Sequence, residues 1–253
     1  MKMHILSGGR LRMKKHIYLP EAAREETIDL PVSCFLLRHP QANVLFDTGC
    51  HPSVAEDAEG RWGNLTRAMT PIMGKADNVI AELAAIGLAP SDIDVVVNSH
   101  LHCDHCGGNG FFTESTIFVH AEEMKTARDP EMEGNGYFQT DWNHDMLIEE
   151  ISSEVDMFDD GRIVLLPLPG HTPGLTTVLA SLPESGTYLL ASDAVPLKQN
   201  LDREIIPKNT WNKDLLTDSL AEIRRIEQSG AEVICGHDRA QWEARRSSGT
   251  TLK

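Results

Sequence analysis

No apolar run in this 253-residue chain approaches the ~20 residues that a membrane-spanning helix requires, which excludes an integral helical membrane protein. Basic residues are scarce as well: 23 Lys and Arg stand against 38 Asp and Glu, a net charge of −15. A field of that sign repels polyanions and excludes nucleic acid as the main partner. The local exception, Arg10, Arg12, Lys14, Lys15 and His16 ahead of Arg24, reads as a solvated arm or strand edge. Cysteines number only five, Cys34, Cys50, Cys103, Cys106 and Cys235. An odd count, with no apolar export segment at the start, leads us to expect reduced thiols and a cytoplasmic location. Aromatic residues make up 6% and hydrophobic residues 41%, ordinary for a soluble globular protein. The length suits one α/β domain over residues 1–253 with a full core, as a monomer or homodimer.

What is present in excess is local. His100, His102, Asp104 and His105 fall within six residues, directly after the apolar run Val95-Val96-Val97. If that run is a buried strand, His100 and His102 project from the same side of its carboxyl end. Asp104 and His105 then lie in the turn, where Gly107 and Gly108 let the backbone bend. Imidazole and carboxylate donors converging there suit zinc or a similar divalent ion. Three further segments stand just after expected strands: Pro169-Gly170-His171-Thr172-Pro173-Gly174, Leu190-Ala191-Ser192-Asp193-Ala194 and Cys235-Gly236-His237-Asp238. Upstream stands Leu45-Phe46-Asp47-Thr48-Gly49.

In that order, from about residue 30 to 240, these segments resemble the signature of the metallo-β-lactamase superfamily. The resemblance implies a four-layer αββα sandwich, two mixed β-sheets flanked by helices. It implies that His100, His102 and His171 hold one zinc ion and Asp104, His105 and His237 a second, with Asp193 bridging. Other divalent metals remain possible. Asp47 is then support for the metal histidines rather than a ligand. Bound metal lowers the pKa of water toward about 7, so hydroxide becomes available to attack an ester carbonyl, with Asp104 shuttling a proton to the leaving group.

Within the superfamily the likeness is to the N-acyl-homoserine lactone lactonases, carried by Leu30 to Cys34, Phe46 to Cys50, and Ser99 to Asn109 with Phe111 and Phe112 following. That implies a small lactone or ester as substrate, and quorum quenching as the role. One departure stands out: those enzymes carry a tyrosine three residues after the bridging aspartate, where this chain has Pro196, which has no donor. Lys198, Tyr137 and Asn209 are candidate substitutes. The alternatives are a hydroxyacylglutathione-type thioesterase, a phosphodiesterase or phosphotriesterase on the same metals, and, from another class, a non-catalytic metal-binding module. For the thioesterase, a basic patch is expected; Arg239, Arg245, Arg246 and Lys253 are present, without a helical domain to hold them.

Along the chain, residues 4–6, 16–19, 28–38, 44–46, 116–119, 162–168, 175–182, 187–192 and 232–235 read as strands. Helices are expected at 78–86, capped by Asp77, at 121–128, and at 213–228, capped by Asn212. Residues 50–76 read as an active-site loop whose Trp62, Met69 and Met73 line an apolar pocket, completed by Phe112 and Tyr137. Residues 129–160 read as a lid or insertion at the rim. The Cys103 and Cys106 thiols flank residues committed to metal, and packing is their expected role.

Overall fold

A computed structural model describes residues 1–248 and 251–253. Two long strands open the chain, β1 (Lys2–Lys14) and β2 (Thr27–Arg38), paired antiparallel. Both faces of β2 are covered: Leu30, Val32, Cys34 and Leu36 project one way, Phe35 and Leu37 the other. β3 (Asn43–Phe46) follows antiparallel on β2, and the short β4 (Met69–Pro71) pairs with β1. From β3 outward, β5 (Val95–Val97), β6 (Thr116–His120) and β7 (Ile148–Ile151) add in parallel.

The second sheet is a meander of β8 (Val155–Asp156), β9 (Ile163–Pro167), β10 (Thr176–Leu182) and β11 (Gly186–Ser192). It ends with β12 (Glu232–Cys235), parallel to β11. A last strand, β13 (Thr251–Leu252), returns to the free edge of β1 in the first sheet. The sheets face each other across one core, with Phe35, Leu37, Val44, Phe46 and Val97 meeting Leu165, Val178, Leu190 and Ile234.

Helices α1 (Ala58–Trp62), α2 (Val79–Ala85), α3 (Ala121–Ala127), α4 (Gln139–Trp142), α5 (Lys198–Asp202), α6 (Lys213–Gln228) and α7 (Arg239–Ser248) lie outside the sheets. α2 sets Val79 and Leu83 against Leu36, Leu45 and Val96 of the first sheet. α6 sets Leu216, Leu220, Ile223 and Ile226 against Leu189, Ala191 and Val233 of the second. The result is the expected four-layer αββα sandwich of two mixed sheets.

Several local expectations give way. Residues 16–19 are not a strand: the Lys15 carbonyl accepts from both Tyr18 N and Leu19 N, so a 3₁₀ turn feeds the chain back toward β2. Asn78, not Asp77, caps α2, accepting from Ala81 N at 3.0 Å, while Asp77 is occupied by Ser7 and Arg10. Residues 50–76 fold into short helical turns, with Asp57 capping α1, and end in β4. The stretch 129–160 is no uniform insertion, since β7 and β8 edge the two sheets. Their polar residues face outward there, which hides the strand pattern. The carboxyl-terminal arginines do sit on a helix, α7.

Candidate metal centre

Each candidate ligand follows a strand end. His100, His102, Asp104 and His105 come after β5, His171 between β9 and β10, Asp193 directly after β11, and His237 two residues after β12. The strands β3 and β5 are parallel neighbours in one sheet and β11 and β12 in the other, so their carboxyl ends open on a shared cleft. The turn geometry demands small residues. Gly170 has φ +143° and a Cβ there would lie 2.4 Å from the Leu216 backbone; a Cβ on Gly174 would lie 2.5 Å from Glu123 N.

Within this cleft the side chains form two triads. His100 Nε2 lies 3.0 Å from His102 Nδ1, which is 3.2 Å from His171 Nε2. In the second triad Asp104 Oδ2 lies 3.7 Å from His105 Nε2 and 3.9 Å from His237 Nε2. Asp193 stands between them, with Oδ2 3.3 Å from His171 Nε2 and Oδ1 2.9 Å from His237 Nε2 and 3.5 Å from His105 Nε2.

The donors fit a pair of divalent ions. Tetrahedral donors at about 2.0–2.1 Å from zinc are roughly 3.3–3.4 Å apart, close to the spacings of both triads. Each of three residue sets, His100/His102/His171, His100/His105/Asp193 and Asp104/His105/His237, offers ligand atoms within 4.8 Å of one another. His105 Nε2, Asp193 Oδ1 and His237 Nε2 are buried and find no well-formed hydrogen bond among the described residues, although the last two stand 2.9 Å apart as an ion pair. Orphaned buried polar atoms are costly, and three converging on one space are explained by a cation that they share.

The far nitrogens are held so that these atoms keep their lone pairs for the cleft. His237 Nδ1 donates to the Pro31 carbonyl at 2.8 Å. His105 Nδ1 donates to Asp47 Oδ2 at 2.8 Å. A hydroxyl relay serves His100: Ser192 Oγ donates to Ser99 Oγ (2.8 Å), which donates to Asp47 Oδ2 (2.7 Å) and so accepts from His100 Nδ1 (2.9 Å). Asp47 also accepts from Ser99 N through Oδ1. Its φ is +60° and that of Ser192 is +45°, left-handed backbone that non-glycine residues adopt at a cost.

Without metal, charge divides across the centre. Burial, reinforced by the neighbouring imidazoles, pushes His100 well below its ordinary pKa, and burial brings His102 and His171 to about 4, so these three are neutral. Burial opposes charge on His105 too, but Asp104, Asp47 and Asp193 hold it up at about 10. Asp193 is buried, yet His237, His171 and His105 keep its carboxyl well below the carboxylate range, and it in turn raises His237. A proton on His105 thus takes the place of a cation.

The cleft above the ligands, about 150 Å³, is lined by Met13, Tyr18, Leu65 and Met69 beside His102, Asp104, His171 and Asp193. It adjoins a wider groove of about 830 Å³ whose walls include Met132, Tyr137, Trp211 and Leu215. Of the expected pocket residues, Met69 therefore lines the cleft and Tyr137 the groove. Trp62 and Met73 are buried beneath them with Leu11 and Val54, and Phe112 is packed against Leu36 and Leu45. Trp62 and Met73 are taken up by packing under the loop and Phe112 by packing under α2, which removes them from the wall.

The three substitutes considered for the absent tyrosine fare unequally. Lys198 Nζ is paired with Asp202 and Glu227, Tyr137 donates its hydroxyl to Glu123 at 2.8 Å, and Asn209 lines the cleft. Sequence reasoning missed Glu123, a fully buried carboxylate on α3. Oε1 accepts from Leu101 N and from Tyr137, whose ring packs edge-on to His102, and Oε2 accepts from Gly174 N. It ties the two ligand-bearing loops together, but its setting, Ala-Glu-Glu-Met, reads as an exposed helix turn.

A sandwich of this topology with its ligands at one cleft defines the class of metal-dependent αββα proteins. The match to the metallo-beta-lactamase superfamily covers residues 27–237, and the chain belongs to that superfamily. It is similar to the N-acyl homoserine lactonase AttM of Azorhizobium caulinodans, 30% identical over 249 residues, 96% of this chain and 95% of that one. Among solved structures it resembles an N-acyl homoserine lactone hydrolase with the product N-hexanoyl-L-homoserine bound at the catalytic metal center. There the TM-score is 0.87 at 26% identity, with 96% of this chain and 95% of that one covered. A variant of B. thuringiensis AiiA with N-decanoyl-L-homoserine at its active site gives the same values.

Proposed function

We propose that this chain is a metal-dependent hydrolase that opens the ring of N-acyl homoserine lactones, and so quenches quorum signals. One observation carries the reading: Asp193 directs one carboxylate oxygen at each of two donor triads. A structural zinc site would instead be closed by four protein ligands. The full-length likeness to named lactonases supplies the substrate class.

In this reading His100, His102 and His171 hold one zinc ion, Asp104, His105 and His237 the other, and Asp193 both. Bound, such a pair supplies Lewis acidity and a water acidic enough to ionise near neutral pH. The protein's own part is positioning. Asp47 fixes His105 directly and His100 through Ser99, while Asp104, at the cleft wall, takes the proton that the attacking water gives up and passes it to the leaving ring oxygen. The acyl chain lies along Met132, Trp211 and Leu215, and Met69 covers the lactone side. Trp62 and Met73 support that wall from behind.

The five unpaired, buried thiols favour a reducing compartment, and the same reading has the enzyme in the cytoplasm as a monomer or homodimer. Among the described residues, no helix is long and apolar enough to cross a membrane. The thioesterase alternative is weakened because Arg239, Arg245 and Arg246 pair with Glu243, Glu232 and Glu82. Acid release from acyl-homoserine lactones by the zinc-loaded chain, set against thioesters of matched acyl length, tests the proposal. Thioester turnover without lactone turnover refutes it.

A further inference from the structure

Tyr18 lies far from every metal-ligand segment in sequence, yet its side chain lines the cleft with Asp104, His171 and Asp193. It is only 2% exposed. A buried phenol hydroxyl normally finds a good acceptor; among the described residues this one reaches only the Met13 thioether, Sδ, at 3.1 Å. Sulfur of that kind is a weak acceptor. Burial, with the negative charge of Asp193 and Asp104 behind it, keeps the phenol protonated. It is therefore a donor without an adequate partner, in the space where a substrate must sit.

Its position is also fixed. Asn200 Nδ2 donates to the Tyr18 carbonyl at 2.9 Å, and Lys208 N donates to the Ile17 carbonyl at 2.7 Å. Both flanks of the turn are thus clamped by the segment from α5 to α6, which also brings Asn209 to the cleft. Pro196 cannot donate, and its carbonyl already accepts from His237 N.

We propose that Tyr18 is a catalytic residue whose hydroxyl donates a hydrogen bond to the carbonyl oxygen of the substrate, exchanging the Met13 sulfur for an oxygen that gains negative charge as the acyl carbon is attacked. No proton is transferred; the bond strengthens as charge builds, so its effect falls on kcat rather than on KM. This rests on the hydrolase reading above, and the test separates the two.

The experiment compares the zinc-loaded parent with Tyr18→Phe. The variant is expected to open lactones with kcat about 100-fold lower and little change in KM, the lower end of what one such donor is worth. A phosphonate analogue of the lactone, which presents an anionic oxygen, is expected to bind the variant more weakly by a similar factor in calorimetry. Metal content and melting temperature are expected to stay unchanged. If Tyr18→Phe melts lower, a fluorotyrosine at position 18, the same ring with a stronger donor, is expected to tighten the analogue. Unchanged kcat, unchanged analogue affinity, or no response to the fluorinated ring overturns the role of Tyr18. A parent chain inert toward lactones but active on thioesters sinks the lactonase reading instead, and the same variants then test Tyr18 on the thioester carbonyl.

Discussion

Asp47, outside the proposed ligand set, shows how a residue can govern the donors of a centre. It sits in left-handed backbone at φ +60° and spends both carboxylate oxygens on Ser99 and His105. Asp47→Ala is expected to weaken zinc affinity about 10–100-fold while leaving all seven proposed ligands in place, measurable by competition with a chromophoric chelator. The same charges set the pH response of the metal-free protein. His102 and His171 are neutral down to about 4, so below the ordinary value of 6.5 the unfolded chain binds more protons and stability falls. His105 works in the opposite sense. Protonated up to about 10, it stabilises the fold below 6.5, and that contribution is lost as the pH rises toward 10. Melting temperatures of the metal-free chain are therefore expected to decline on both sides of pH 6.5, and a flat profile from 4 to 10 contradicts the assignment.

At the scale of elements, the ligand loops are held by their neighbours. Glu123 on α3 satisfies Leu101 N, Gly174 N and the Tyr137 hydroxyl at once. Glu123→Gln presents an amide to groups that also donate, and is expected to cost about 2 kcal/mol or more in denaturant unfolding and to lower turnover together with it. Asn212 caps α6 through Asp214 N and Leu215 N, and its own N–H donates to the Gly170 carbonyl. Asn212→Ala is expected to cost about 1 kcal/mol, with metal retained.

These elements also mark what could be read from residue order. α6, β5 and β9 to β12 were legible because their apolar periods and caps agree with the tertiary burial. β7 and β8 were not, since an edge strand needs few apolar residues and Ile148-Glu149-Glu150-Ile151 reads as polar. The clustered histidines and aspartates of the proposed metal centre were legible because such donors occur as motifs. Glu123 and Tyr18 were not, because a lone carboxylate or phenol acquires meaning only from what folding sets beside it.

For the whole molecule, the centre joins the sheets: His100, His102, Asp104 and His105 come from the first, His171, Asp193 and His237 from the second. An ion bound only by the folded chain stabilises it by mass action, so chelation is expected to lower the melting temperature and added zinc to restore it in a concentration-dependent way. The most direct measurement is a titration of the metal-free chain with zinc, following acid release from an acyl-homoserine lactone in a pH-stat. Turnover is expected to rise until about two equivalents are bound and then to level off, and Asp193→Ala is expected to remain inactive throughout. No acid release at any loading, or full turnover by Asp193→Ala, would contradict the account.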